Sequence, residues 1–378
     1  MLTPLDDSPW HQLPTTFDHV GTSDVRFFDR LWFAASDRSG NGVFQFTIGV
    51  YQNMNVVDGG VVVIRDGRQH NVRASRQLRP DYHISTGSLR LEVIEPLRQI
   101  RLTIARTAGS VSGDVVWTAT SSAQEEHHHF NRARGRVLED YSRYDQIGEL
   151  SGWLEVDGQR ADVESWWACR DHSWGVRENV GIVEPFTGDK AVVSGPVFVF
   201  LFFSTATHSG HVQVTRIGGS SHLTAQIIER GADGSDLRVH TCHRIDLDAG
   251  FVDDARPRRF EAGTITVVDD EGTTFGLTIE RQGPAVAMQG LGYGGYDDGR
   301  GLGVHRGMEH LEHGVWDVSH PAEVVLADGT TTRPVHRIQP VRLTLTGPDG
   351  TANGTGSLTC IAEADLDADG RLRVHAEH

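Results

Sequence analysis

In Phe44-Gln45-Phe46-Thr47-Ile48-Gly49-Val50, the apolar residues Phe44, Phe46, Ile48 and Val50 alternate with Gln45, Thr47 and Gly49. Successive strand residues face opposite sides, so a period of two predicts a half-buried β-strand. The same alternation recurs at Leu89, Leu91 and Val93, at Ile100, Leu102 and Ile104, and at Phe275, Leu277 and Ile279. Asp-Gly pairs at 66–67, 157–158, 233–234, 328–329, 349–350 and 369–370 supply hairpin turns in both halves. Helical turns are expected only around Asp29 to Ala35 and Asp253 to Arg256. The predicted class is therefore all-β. A chain of 378 residues with no compositional linker would house these hairpins in two packed barrels or sandwiches, residues 1–180 and 181–378. Gly181 to Gly195 reads as a loop into the apolar strand Val197-Phe-Val-Phe-Leu-Phe-Phe203.

The charge balance narrows the partners. Thirty-five basic residues against 51 acidic ones give a net charge of −16, which disfavours nucleic-acid backbones and anionic membrane surfaces. Lys190 is the only lysine and no P-loop surrounds it, so Schiff-base or phosphate-cradling lysine chemistry has little to rest on. Cys169, Cys242 and Cys360 are odd in number and far apart, which fits a reducing compartment. Neither a secretion signal nor a membrane-length apolar run is visible, so a soluble, cytoplasmic protein is expected.

Two segments could carry chemistry. Trp166-Trp167-Ala-Cys169-Arg170-Asp171-His172-Ser173-Trp174-Gly-Val-Arg177 packs three tryptophans around titratable groups, the pattern of an apolar pocket with a few aimed polar side chains. Asp171 could be a proton donor raised by desolvation, or half of a satisfied ion pair with Arg177. The second segment runs from Gly292-Tyr293-Gly-Gly-Tyr296 through His305, Glu309, His310 and His313 to Trp316-Asp317. It lacks the spacing of a phosphate loop or a zincin. A strand could bring His305, Glu309 or His310, with Trp316 and Asp317, toward a pocket, or leave them at its rim. A metal site from His305 to His313 stays open, although one strand spaces same-face residues about 7 Å apart. His127-His128-His129 reads as a solvated loop.

The motifs Asp29-Arg-Leu-Trp-Phe33, Gly42-Val-Phe-Gln-Phe46, Asp171-His-Ser-Trp-Gly-Val-Arg177, Gly292-Tyr-Gly-Gly-Tyr296 and His310-Leu-Glu-His-Gly-Val-Trp-Asp-Val-Ser319 resemble the tandem lipocalin-like family. That group includes AttH-like proteins and carotenoid hydratases of the hydroxyneurosporene synthase type. The resemblance covers roughly residues 20 to 320. It implies two lipocalin-like (calycin) β-barrels, an apolar ligand near their interface, and hydration, cyclisation or isomerisation of a terpenoid-, sterol- or polyketide-like substrate without metal or organic cofactor.

Such a lyase or isomerase needs an acid able to protonate carbon and aromatic faces to stabilise a cation. The expected roles are Asp171 as donor, His172 as its relay, Arg177 orienting a polar end of the substrate, and His305, Glu309 or Asp317 positioning water. Trp166, Trp167, Trp174, Tyr293, Tyr296 and Trp316 would line the pocket. The alternatives are a non-catalytic carrier of a hydrophobic molecule and a metal-dependent enzyme. The oligomeric state is open, a homodimer included.

Overall fold

The computed structural model describes every residue except 1, 8, 10, 12, 107–110, 134, 182–194, 218–219, 295–297, 299 and 378. Among the described residues the chain is all-β, with three short 3-10 turns and no α-helix. Fifteen strands form one antiparallel sheet and ten form a second. In the second, eight strands close into a barrel, because Ser220–Arg230 pairs with Asp236–Phe251 as well as with His208–Ile217. Val199, Leu201, Phe203, Leu277 and Leu345 fill its interior.

The first sheet runs from Arg68–Gln77 through Val56–Arg65, Val43–Tyr51, Phe27–Ser36, Gln159–Val176 and Arg136–Val156 to the strands at 85–119. Its Ser85–Thr86 and Leu89–Glu95 edge curls back over the strands at 56–77, enclosing Phe33, Phe44, Phe46, Trp117 and Leu150. The alternation at Phe44, Phe46 and Ile48 thus points into this core as expected. Glu309–Asp317, from the second half of the sequence, adds to the edge of this first sheet beside Arg68–Gln77.

The outer face of the first sheet packs on the second barrel. Trp32, Ala34, Ile147 and Cys169 meet Phe200, Phe202 and Ile338 there, and Trp167 Nε1 donates to Ser204 Oγ over 2.9 Å. Gln69 imitates a strand neighbour, accepting from Ala287 N and donating to Ala287 O. One expectation fails: Asp29 to Ala35 lies in the strand Phe27–Ser36, whose alternate residues are buried on both sides, and Asp253 to Arg256 is an irregular bend. Among the described residues no helix is long and apolar enough to cross a membrane.

Candidate active site between the two sheets

Strand register assembles this site. Asp145 stands opposite Asp171, and Asp171 opposite Trp32; the neighbouring row is Arg143, Ser173 and Arg30. All face the second barrel, and directly opposed side chains start only about 5 Å apart at Cβ. Gly175 has a φ of +136°, and a Cβ there would run into Asp140 O and Tyr141. Glycine lets the strand pass that point before Arg177.

The first cluster is a buried carboxyl pair. Glu126 accepts from Arg143 over 2.7 Å and from His129 Nε2 over 2.5 Å. Asp145, 2% exposed, lies against Glu126 with His211 Nδ1 at 3.4 Å and Arg143 Nε at 3.9 Å. As an ionised carboxylate, Asp145 would have no hydrogen-bond donor for either oxygen among the described residues. As a carboxylic acid it can donate to Glu126. Burial, then the neighbouring Glu126 charge, pushes Asp145 well above the usual carboxylate range. Burial also pushes Glu126 up, but the Arg143 charge and the His129 hydrogen bond outweigh it and hold Glu126 well below that range. Two like carboxyls in a dry site share one proton in this way. Asp171, only partly buried, is raised by desolvation against the opposing pull of Arg143 and Arg177. His211 is pushed down to about 4 by burial, so it is neutral near pH 7. Phe200 carries the Arg143 guanidinium 4.6 Å above its ring, and Gln213 accepts from it.

The second cluster closes the other side. Asp58 accepts from Arg30 at 2.7 Å, from Tyr51 at 3.1 Å and from Gly303 N at 2.6 Å. Arg30 Nε donates to Tyr293 at 3.2 Å, and Tyr293 meets His336 edge-on. The described parts of the Gly-rich segment therefore strap over Arg30 and Asp58. Arg177 stacks on Phe28 at 4.3 Å, and its charge acts on Asp171, Tyr51, Tyr141 and His336. It makes no ion pair among the described residues.

The expected residues divide by strand geometry. Asp171, Arg177, Trp167, Tyr293 and Trp316 lie on the side facing the second barrel. His172 points the opposite way, bonding Asp29 Oδ1 at 2.7 Å and Tyr144 OH at 3.2 Å, so it does not touch Asp171 as a relay. Adjacent strand residues cannot share a face. Trp166 packs against the first sheet's inner core, and Trp174, 37% exposed, sits beside His172. His305 and Glu309 are exposed; Asp317 caps its own turn by accepting from Ser319. These three are not gathered with Asp171. Tyr296 lies outside the described residues. Between the sheet and the barrel, the gap lined by Ala34, Val43, Gln45, Trp167 and Gln339 is about 10 Å³, room for one water at most. Trp32, Phe200 and Phe202 pack together in the neighbouring space.

Sequence reasoning missed Glu126, Arg143, Asp145, His211 and the burial of His129. A signal existed. Tyr141, Arg143, Asp145 and Ile147 share one face by period two, as do His211 and Gln213, and charged residues aligned with buried apolar ones mark a covered polar face. The described donor groups whose geometry could hold a cation are Glu126–His129–His222 and Glu126–Asp145–His211, not the 305–313 segment. Arg143 already supplies positive charge against Glu126, which favours the proton-sharing arrangement.

The model of a family of unknown function (DUF8625) matches residues 2–338. No curated protein matches. Among solved structures, CghA with Sch210972 is similar at 10% identity over 90% of each chain, with a TM-score of 0.51. A second CghA structure shows 8% identity over 90% of each chain and a TM-score of 0.50. Kievitone hydratase from Nectria haematococca, at 10% identity over 92% of this chain and 93% of that one, has a TM-score of 0.44, too loose a likeness to carry an argument. The shared feature is the fold, two lipocalin-like β-units packed face to face.

Proposed function

The chain belongs to the DUF8625 family, and we propose that it is a cofactor-independent lyase or isomerase acting by acid–base chemistry on a hydrophobic substrate between the first sheet and the second barrel. The observation that carries this reading is Asp145, buried against Glu126 with no donor for an ionised carboxylate among the described residues, beside a partly exposed Asp171 whose carboxyl is also raised by desolvation. A carboxylic acid kept neutral by its surroundings can protonate carbon near neutral pH.

Asp171 is the group placed to touch substrate. It gives its proton to an alkene carbon, and the electron pair of the double bond forms the new C–H bond. The cation left behind faces Trp32, Phe200 and Trp167; water quenches it for hydration, loss of a neighbouring proton quenches it for isomerisation, and for cyclisation an internal alkene adds to it and the new cation so formed then loses a proton. The proton released in each case returns to the carboxylate. Asp145, opposite Asp171, holds the reserve proton with Glu126. Arg177 docks a polar end of the substrate. Entry requires the packed aromatic side chains to part, consistent with induced opening at hydrophobic sites.

The test begins with mass spectrometry of small molecules copurifying with the protein, which identifies the ligand class. Turnover of that compound in heavy water should place deuterium on carbon, and Asp171→Asn should abolish this while the variant still binds. Unchanged incorporation by a folded Asp171→Asn variant sinks the role of Asp171; binding without any incorporation by the parent leaves a carrier instead of an enzyme.

A further inference from the structure

Three arginines converge where the Arg337–Gly347 strand begins. Arg259 immediately precedes the strand Phe260–Asp269, Arg333 follows Thr331–Thr332, and Arg337 opens its own strand. Arg259 donates to the carbonyls of Pro334 and Val335, which lie between the other two in sequence. Arg259 and Arg337 are only 3% and 4% exposed. Among the described residues, all three guanidinium nitrogens of Arg337 lack a hydrogen-bond partner, as do the Nε atoms of Arg259 and Arg333.

Among the described residues, the nearby acids do not balance this charge. Asp253 pairs with Arg333 at 2.6 Å, and Glu363 acts on Arg259 only at longer range, with its own Oε1 buried and unpartnered. Burial, then the neighbouring arginines, pushes Arg337 down to about 9 and Arg259 to about 10. A guanidinium at pH 7 nevertheless stays charged, and burying one with no partner is costly. A methionine would fill the same space without that cost, so packing alone does not account for Arg337.

We propose that Arg259, Arg333 and Arg337 form a binding site for a tetrahedral oxyanion, inorganic phosphate or the phosphoryl group of a small molecule. Arg337 is its buried floor. Arg333, with a side chain 21% exposed, stands at the entrance. Guanidinium forks match phosphate oxygens, and a phosphate supplies the acceptors that Arg337 lacks. The site uses none of the residues assigned to acid–base chemistry, so the two readings stand or fall separately.

The experiment is thermal unfolding and titration calorimetry of the full chain at pH 7.5 with sodium phosphate, glycerol phosphate or sodium acetate, each against sodium chloride of equal ionic strength. Phosphate or glycerol phosphate should bind one to one and raise Tm by a few degrees, acetate much less. A response to glycerol phosphate alone assigns the site to an esterified phosphoryl group; a response to both shows that the free ion suffices. Arg337→Met should abolish binding, and Arg333→Gln, which leaves the buried pair intact, should weaken it about tenfold or more. Absence of binding by both phosphate compounds, or equal binding by the parent and Arg333→Gln, would overturn the proposal.

Discussion

The two faces of the first sheet are made by alternate residues of the same strands, yet they differ in chemistry. On Phe27–Ser36, Phe33 and Ala35 join a dry core with Phe44, Phe46 and Trp117, whereas Arg30 and Trp32 face a buried layer of charge and aromatic rings. On Arg136–Val156, Leu150 and Leu154 enter that core while Arg143 and Asp145 face outward. Period-two geometry lets one strand hold the fold together on one side and hold titratable groups in a desolvated layer on the other. Substitutions on the two faces should therefore fail in different ways.

The largest separation is expected at Asp145. Asp145→Asn should lower turnover on the order of 10²–10⁴-fold with little loss of stability. Its folded pKa lies above the unfolded one, so as pH rises past about 4 the unfolded chain loses its proton first and the stability contribution falls. The variant should accordingly lose less stability than the parent between pH 4 and 8, measured by denaturant titration. On the inner face, Phe46→Ala should cost about 3–5 kcal/mol by cavity formation. Turnover per folded molecule should be unchanged; a matching loss of turnover would break the division between faces.

His211 sharpens the comparison further. It is 2% exposed and its folded pKa is about 4, below the unfolded value, so the penalty appears as pH falls from about 6.5 to 4 and approaches about 3 kcal/mol. His211→Gln should remove that part of the acid sensitivity, and an unchanged profile would place His211 outside the desolvated layer. The smallest effect is expected at Arg177: Arg177→Gln should raise KM about tenfold, worth about 1.4 kcal/mol of binding, with kcat nearly held.

Much of the fold was legible because alternation and Asp-Gly turns are local signals. Phe44, Phe46 and Ile48 pointed to the inner core correctly. The site was legible only in part. Asp171 and Arg177 stood out among tryptophans, but which face each residue takes depends on register, and this separates His172 from Asp171. Glu126 and Asp145 meet through the local pairing of Gln124–Glu125 with Arg136–Val156, whereas His211 belongs to the second barrel, and only the packing of that barrel on the sheet brings it to Asp145. The Gly-rich segment near Tyr293 drew attention for its own composition, whereas its described role is to strap Gly303 N onto Asp58.

The central claim is that Asp145 is a neutral carboxylic acid at physiological pH, and infrared difference spectroscopy tests it most directly. The parent protein at pH 7 should show the C=O stretch of a protonated carboxyl group that shifts in heavy water and disappears in Asp145→Asn. A parent spectrum at pH 7 with only carboxylate bands, identical in this region to that of the variant, would contradict the account.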